Sequence, residues 1–206
     1  MRRDDTDVFN IIEQKGIDLS TMDILSPYAK EGEYRTIDYA KKAAHLTAWE
    51  INPDYYEKLI QNLPSNTDSK LCDSCEEIYR ETRKYDFVIV DPYFGSSTYV
   101  EGFFLFPRIY EILKPHAFIV TVILLDPYPY SWARGYGVSQ PRRLVRRLFY
   151  GTRNEIVTNQ EVETAYRRHA RGSGFELVWD AWSWSFSDTC FYVQELKKQE
   201  VIDKVE

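Results

Sequence analysis

The sequence predicts an α/β fold: a mostly parallel sheet with helices on both faces and a C-terminal antiparallel β-hairpin. Three features predict it. Residues 86–90 read Asp-Phe-Val-Ile-Val, an apolar, largely β-branched run of the kind a strand needs when both its faces are covered. Strand-like and helix-like stretches alternate along most of the chain, which implies right-handed strand–helix–strand units. Near the end, residues 175–184 and 189–195 form two strand-like runs joined around Ser187-Asp188, the pattern of a hairpin.

The elements follow in order. Residues 8–13 form the apolar side of a short helix that stops near Gly16. Residues 22–25 are a short first strand, followed by the loop Ser26-Pro27-Tyr28-Ala29-Lys30-Glu31-Gly32. A helix is expected over 33–44 and a second strand over 46–51, with Glu50 near its end. Asn52-Pro53 supplies an N-cap and a first-turn proline for a helix through 62. Residues 70–72 are a weak third strand, and 75–83 a helix. After the 86–90 strand come a helix over 99–113 kinked at Pro107, a turn at 114–116 and a buried strand over 117–125. Two basic helical segments, 141–150 and 155–171, precede the hairpin. One domain is expected over 1–196, with the basic segment 134–171 between its fifth and sixth strands and a solvated tail over 197–206.

Composition narrows the function classes. The 206 residues are 44% apolar and 28% charged, which excludes disorder over most of the length. No run approaches the ~20 apolar residues of a membrane span. No secretion signal follows the charged N-terminus, and three cysteines are too few for a disulfide scaffold, so a reducing, cytoplasmic setting is expected. Net charge is −6, yet residues 134–171 hold nine arginines against three glutamates, leaving −12 for the remainder. Such asymmetry suits a local contact with phosphates. Cys72-x-x-Cys75 has no second cysteine pair or histidine near it, so no metal site is expected.

In open α/β sheets ligands bind beyond the carboxyl ends of the strands, where strand order reverses. The residues at those ends are Ser26–Gly32, Glu50, Asp73 and Asp91-Pro92-Tyr93-Phe94. An acid after the second strand suits ribose hydroxyls, a polar residue after the third an adenine edge. A carboxylate followed by proline and aromatics offers an acceptor beside a flat slot for a planar amine.

This set resembles the class I, Rossmann-like S-adenosylmethionine-dependent methyltransferases. Within them it is similar to the amino-methyltransferases of nucleic-acid bases, and in particular to the small ribosomal-RNA guanine-N2 type. The resemblance covers residues 8–196 in element order. It implies S-adenosylmethionine as cofactor, held by Ser26, Tyr28, Ala29, Gly32, Glu50 and Asp73. It implies methyl transfer to an exocyclic base amine at Asp91, Pro92, Tyr93 and Phe94. The substrate side would then include Tyr128 and the phosphate-holding Arg142, Arg143, Arg146 and Arg147. The expected partner is nucleic acid, RNA in preference to DNA; no membrane is involved, and a protein partner stays open. Three positions depart from the family pattern: Ser26 replaces an acid, Lys30 a glycine, and Tyr93 the second proline of a Pro-Pro pair. They motivate the alternative, a catalytically inactive methyltransferase-like domain acting as a binding or scaffold subunit.

Overall fold

The computed structural model describes residues 8–32, 35–92, 100–126, 140–186 and 189–200. Its seven strands form one sheet in the order β3-β2-β1-β4-β5-β7-β6. They are β1 Asp23–Ser26, β2 His45–Glu50, β3 Thr67–Leu71, β4 Tyr85–Val90, β5 Leu113–Leu124, β6 Phe175–Phe186 and β7 Thr189–Lys198. The first five pair in parallel, whereas β7 is antiparallel to both β5 and β6. The helices are α1 Val8–Gln14, α2 Arg35–Lys42, α3 Pro53–Asn62, α4 Ser74–Glu77, α5 Arg108–Glu111, α6 Gln140–Tyr150 and α7 Asn159–Gly172, with a 3-10 segment at Val100–Leu105.

Period-two alternation within the buried strands divides the core between the two faces. In β4, Val88 and Val90 join one apolar cluster and Phe87 and Ile89 the other. In β5 the division is Ile119 and Ile123 against Phe118, Val120 and Val122. Residues of α1, α2 and α3 cover the second face; residues of α5, α6, α7 and the 3-10 segment cover the first. A sheet sandwiched this way is what the uninterrupted apolar run of β4 requires.

Several expectations change. The 99–113 helix is replaced, within the described residues, by the 3-10 segment, a cis Phe106–Pro107 peptide and the single turn α5. Gly102 has φ +64°, which an α-helix cannot accommodate, and Pro107 has no N–H to donate. The turn at 114–116 lies inside β5. Tyr85 pairs with Leu113 but Phe87 with Phe118, so the strand bulges around Pro115 opposite β4 and still pairs with β7 from His116 onward. The 75–83 helix shortens to α4, because the Glu81 carboxylate accepts the N–H groups of Thr82 and Arg83. The last basic helix begins at Asn159, not 155: Thr158 and Glu161 form a capping box, readable as Thr-x-x-Glu. The hairpin lies with β7 inside the sheet and β6 at its edge, and β7 extends into the expected tail.

One buried acid sits where α1 meets the sheet. Glu195 of β7 pairs with His116 Nε2 at 2.9 Å and with Lys15 Nζ at 3.1 Å, and Lys15 also lies over the Trp179 ring. Burial alone would raise its pKa; the His116 and Lys15 interactions outweigh that and hold the carboxyl below its ordinary 4.5. A carboxyl depressed in the folded state adds stability above its unfolded pKa, and that stability is lost as pH falls through the folded value. Thermal unfolding measured from neutral pH downward should therefore show a loss below 4.5. Glu195→Gln should flatten that part of the profile; an identical profile in the variant would remove Glu195 from the acid response.

Candidate functional site

Strand order reverses between β1 and β4, which are neighbours although β2 and β3 intervene in sequence. Chain segments leaving β1 and β4 therefore diverge, opening a crevice at the carboxyl ends. The structure brings Ser26–Gly32, Glu50, Asp73 and Asp91 to this one edge, because they follow β1, β2, β3 and β4 respectively.

Backbone bonds draw the loop after β1 onto its neighbours. Ala29 N–H donates to the Trp49 carbonyl at 2.9 Å, and Gly32 N–H to the Ala29 carbonyl at 3.0 Å. The Ser74 hydroxyl donates to the Pro27 carbonyl, tying the loop to the start of α4. Ser26 is buried, and Tyr28 packs against the larger apolar cluster. Lys30 has φ +54°, the one non-glycine residue at positive φ among those described. The loop thus keeps the left-handed conformation for which glycine is suited, at a cost of roughly 1–2 kcal/mol for a side chain. The Lys30 ammonium lies 5.9 Å from the ring centroid of Tyr55 in the first turn of α3.

Glu50 is buried, and its Oε1 accepts the Asn52 N–H at 2.7 Å. Its Oε2 has no hydrogen-bond partner among the described residues. Asp73 caps α4 by accepting the Cys75 N–H at 2.8 Å. Cys72 N–H donates to the Glu50 carbonyl at 2.8 Å, so the ends of β2 and β3 stay in register beyond the ladder. Burial first, and neighbouring carboxylates second, push both the Cys72 and Cys75 thiols up to about 12. They stay protonated at neutral pH and are poor nucleophiles. This donor set fits a nucleoside cofactor: a fixed carboxylate for a ribose diol, a polar strand end for a base edge, and a closely folded loop.

Asp91 is partly exposed and Pro92 buried at the end of β4. Tyr93, Phe94 and Tyr128 lie outside the described residues, and so does the Arg142 side chain. Arg143 Nε donates to Glu155 Oε1 at 3.2 Å, and Arg147 Nε lies 3.8 Å from the same oxygen. Arg146 departs from its expected role in holding phosphate. It is 0% exposed, and its guanidinium bonds the backbone carbonyls of Leu124, Leu125 and Glu155. Helical spacing put all these arginines on one segment, but only packing decides which of them turns inward.

Two contributors escaped the sequence reading. Ser74 carries no pattern signal. Gly102 did: a glycine inside an apparent helix marks a break. A Cβ there would fall 2.3 Å from Val90 Cγ1 and 3.6 Å from the Tyr28 ring, so this glycine lets the chain return against the end of β4.

No protein-family model matches the sequence, and no curated protein does either. Solved structures do. A provisionally assigned RNA methyltransferase of Pyrococcus horikoshii superposes with a TM-score of 0.56 at 14% identity, covering 92% of this chain and 81% of that one. Escherichia coli yhhF, a provisionally assigned methyltransferase, gives 0.54 at 13% identity over 96% and 90%. P. horikoshii TYW2 in complex with MeSAdo gives 0.54 at 11% identity over 92% and 61%. The backbone likeness, with the strand order and the antiparallel β7, shows that this chain shares the Rossmann-like fold of these structures.

Proposed function

We propose that the protein transfers a methyl group from S-adenosylmethionine to an exocyclic amine of a nucleic-acid base, with RNA as the favoured acceptor. The observation that carries this reading is the convergence of Glu50, the Ser26–Gly32 loop, Asp73 and Asp91 on the edge where strand order reverses. The likeness to a provisionally assigned RNA methyltransferase and to a protein held with MeSAdo supports the choice of cofactor and acceptor.

When bound, S-adenosylmethionine supplies a methyl carbon on a sulfonium, open to in-line displacement. Glu50 would hold the ribose hydroxyls, and Asp73 would hold the adenine edge. Asp91 and the Pro92 carbonyl accept hydrogens of the target amine, whose lone pair is otherwise delocalised into the ring. Orientation supplies most of the rate, since two reactants held in line react as one. A paired base must first be extruded, at a few kcal/mol. Calorimetry with the cofactor, followed by transfer of labelled methyl to unmodified total RNA, tests the reading. No label in RNA would end it.

Lys30 favours a second reading, a silent domain used for binding. Lys30 has φ +54° in the loop after β1; its side chain would crowd the backbone's approach to a bound cofactor, and its cation would oppose a sulfonium. Lys30→Gly is expected to tighten S-adenosylmethionine binding by about tenfold, the equivalent of ~1.4 kcal/mol. No binding by either protein would favour the silent domain. Equal binding by both would show that Lys30 does not obstruct the loop.

A further inference from the structure

We propose that Lys58 and Asn62 of α3 are positioning residues that hold the cofactor loop in shape and so set its affinity for S-adenosylmethionine; this rests on the methyl-transfer reading above. The loop ends in a four-residue turn, Ala29 to Gly32, closed where the Gly32 N–H donates to the Ala29 carbonyl at 3.0 Å. Lys30 is the second residue of that turn and has φ +54°. A positive φ at this position favours glycine, asparagine or aspartate, and a lysine persists there only when its surroundings over-determine it.

α3 supplies those surroundings. Tyr55, Lys58, Leu59, Asn62 and the capping Leu63 recur at the three- and four-residue spacings of one helical stripe, and each meets the turn. The Lys30 ammonium lies 5.9 Å from the Tyr55 ring centroid. Lys58 Nζ donates to Glu31 Oε1 at 2.7 Å, and the Glu31 side chain is only 14% exposed. Asn62 Nδ2 donates to the Glu31 backbone carbonyl at 2.8 Å. A Cβ on Gly32 would stand 3.0 Å from Leu59 Cδ1 and 3.2 Å from Leu63 Cγ, so the loop lies close against the helix. Glu31 is thus held through both side chain and backbone, directly after the strained residue. Directly before it, the Ala29 N–H is fixed to the Trp49 carbonyl of β2. A loop already in its binding shape spends no binding energy on ordering itself. Without these ties, apparent affinity falls with the fraction of the loop that keeps that shape.

The test uses the full chain with Lys58→Met, Asn62→Leu, their combination and Lys58→Arg, melting temperatures measured first. Calorimetric affinity is read with S-adenosylhomocysteine, whose uncharged sulfur removes any direct effect of a deleted cation on a sulfonium. Each single variant is expected to weaken binding by about threefold and the combination by about tenfold, the range of one partly exposed ion pair plus one hydrogen bond. Hydrogen exchange at the Gly32 amide should speed by similar factors. Lys58→Arg keeps the charge and should bind within about twofold of wild type. KM for S-adenosylmethionine should rise as affinity falls, while kcat at saturating cofactor stays within about twofold. Unchanged affinity in the combined variant overturns the proposal, as does a loss that Lys58→Arg shares, or a fall in kcat without one in affinity. If the wild-type protein binds neither ligand, the methyl-transfer reading fails, and Gly32 exchange decides whether α3 holds the loop. Faster exchange in the combined variant sustains that hold; unchanged exchange removes it.

Discussion

Replacing Asp91 with alanine is expected to lower kcat for methyl transfer by about 100-fold or more and to leave cofactor affinity nearly unchanged, as for other groups that manage protons at a reacting atom. β4 is buried on both faces, with Val88 and Val90 packed one way and Phe87 and Ile89 the other, so its end is held firmly. The buried Pro92 that follows fixes its own φ and offers no N–H to compete for the carboxylate. Asp91 therefore leaves the sheet at a defined point, beside the crevice and away from Glu50, which belongs to β2. Asp91→Asn keeps an acceptor oxygen but loses the charge, and its rate should fall between those of wild type and Asp91→Ala. Single-turnover transfer of labelled methyl separates this effect from binding. A rate within about threefold of wild type in the alanine variant would take Asp91 out of the mechanism.

Gly102→Ala should destabilise the protein by about 2–5 kcal/mol, combining a left-handed side chain with overpacking against a rigid strand. The added methyl would sit 2.3 Å from Val90 Cγ1, at φ +64°. The alanine itself has no rotamer that relieves either problem, because the clash lies at its Cβ. For a chain of this size that loss lowers Tm by roughly 4–20 °C. Adding Val90→Ala separates the causes. The double variant should recover the steric part and keep the conformational part, less the small penalty for shortening Val90. If Gly102→Ala melts within about 1 °C of wild type, the close approach of this segment to β4 is not maintained in solution.

Much of the sheet was legible because burial leaves a strong local imprint. The β4 run admits few other structures, and Asn52-Pro53 announces α3 through a cap that the structure retains, with Asn52 Oδ1 accepting the Asp54 N–H. Legibility failed where non-local bonds override local pattern. Lys114-Pro115-His116 reads as a turn, yet Lys114 is drawn to Asp23 at 2.8 Å and Asp86 at 2.6 Å, and His116 to Glu195. Those partners lie on other strands, so the segment stays extended. Residues 99–113 have helical composition, but Gly102 and Pro107 impose backbone geometries that composition averages away.

The candidate site divides along similar lines. Glu50, Asp73 and Asp91 were found by their places at strand ends, and the sheet gathers them because parallel strands end on one side. The arginines could not be sorted in the same way. Their spacing is compatible with a solvated face, with a phosphate-binding face, and with one guanidinium turned into the core. By itself the sequence determined which segments are strands and which residues stand at their ends, since burial on two faces writes itself into consecutive residues. Only the tertiary structure decided that Arg146 is enclosed and bonds the carbonyls of Leu124, Leu125 and Glu155, because those acceptors come from separate segments, and no local pattern encodes which arginine of a helix will face them.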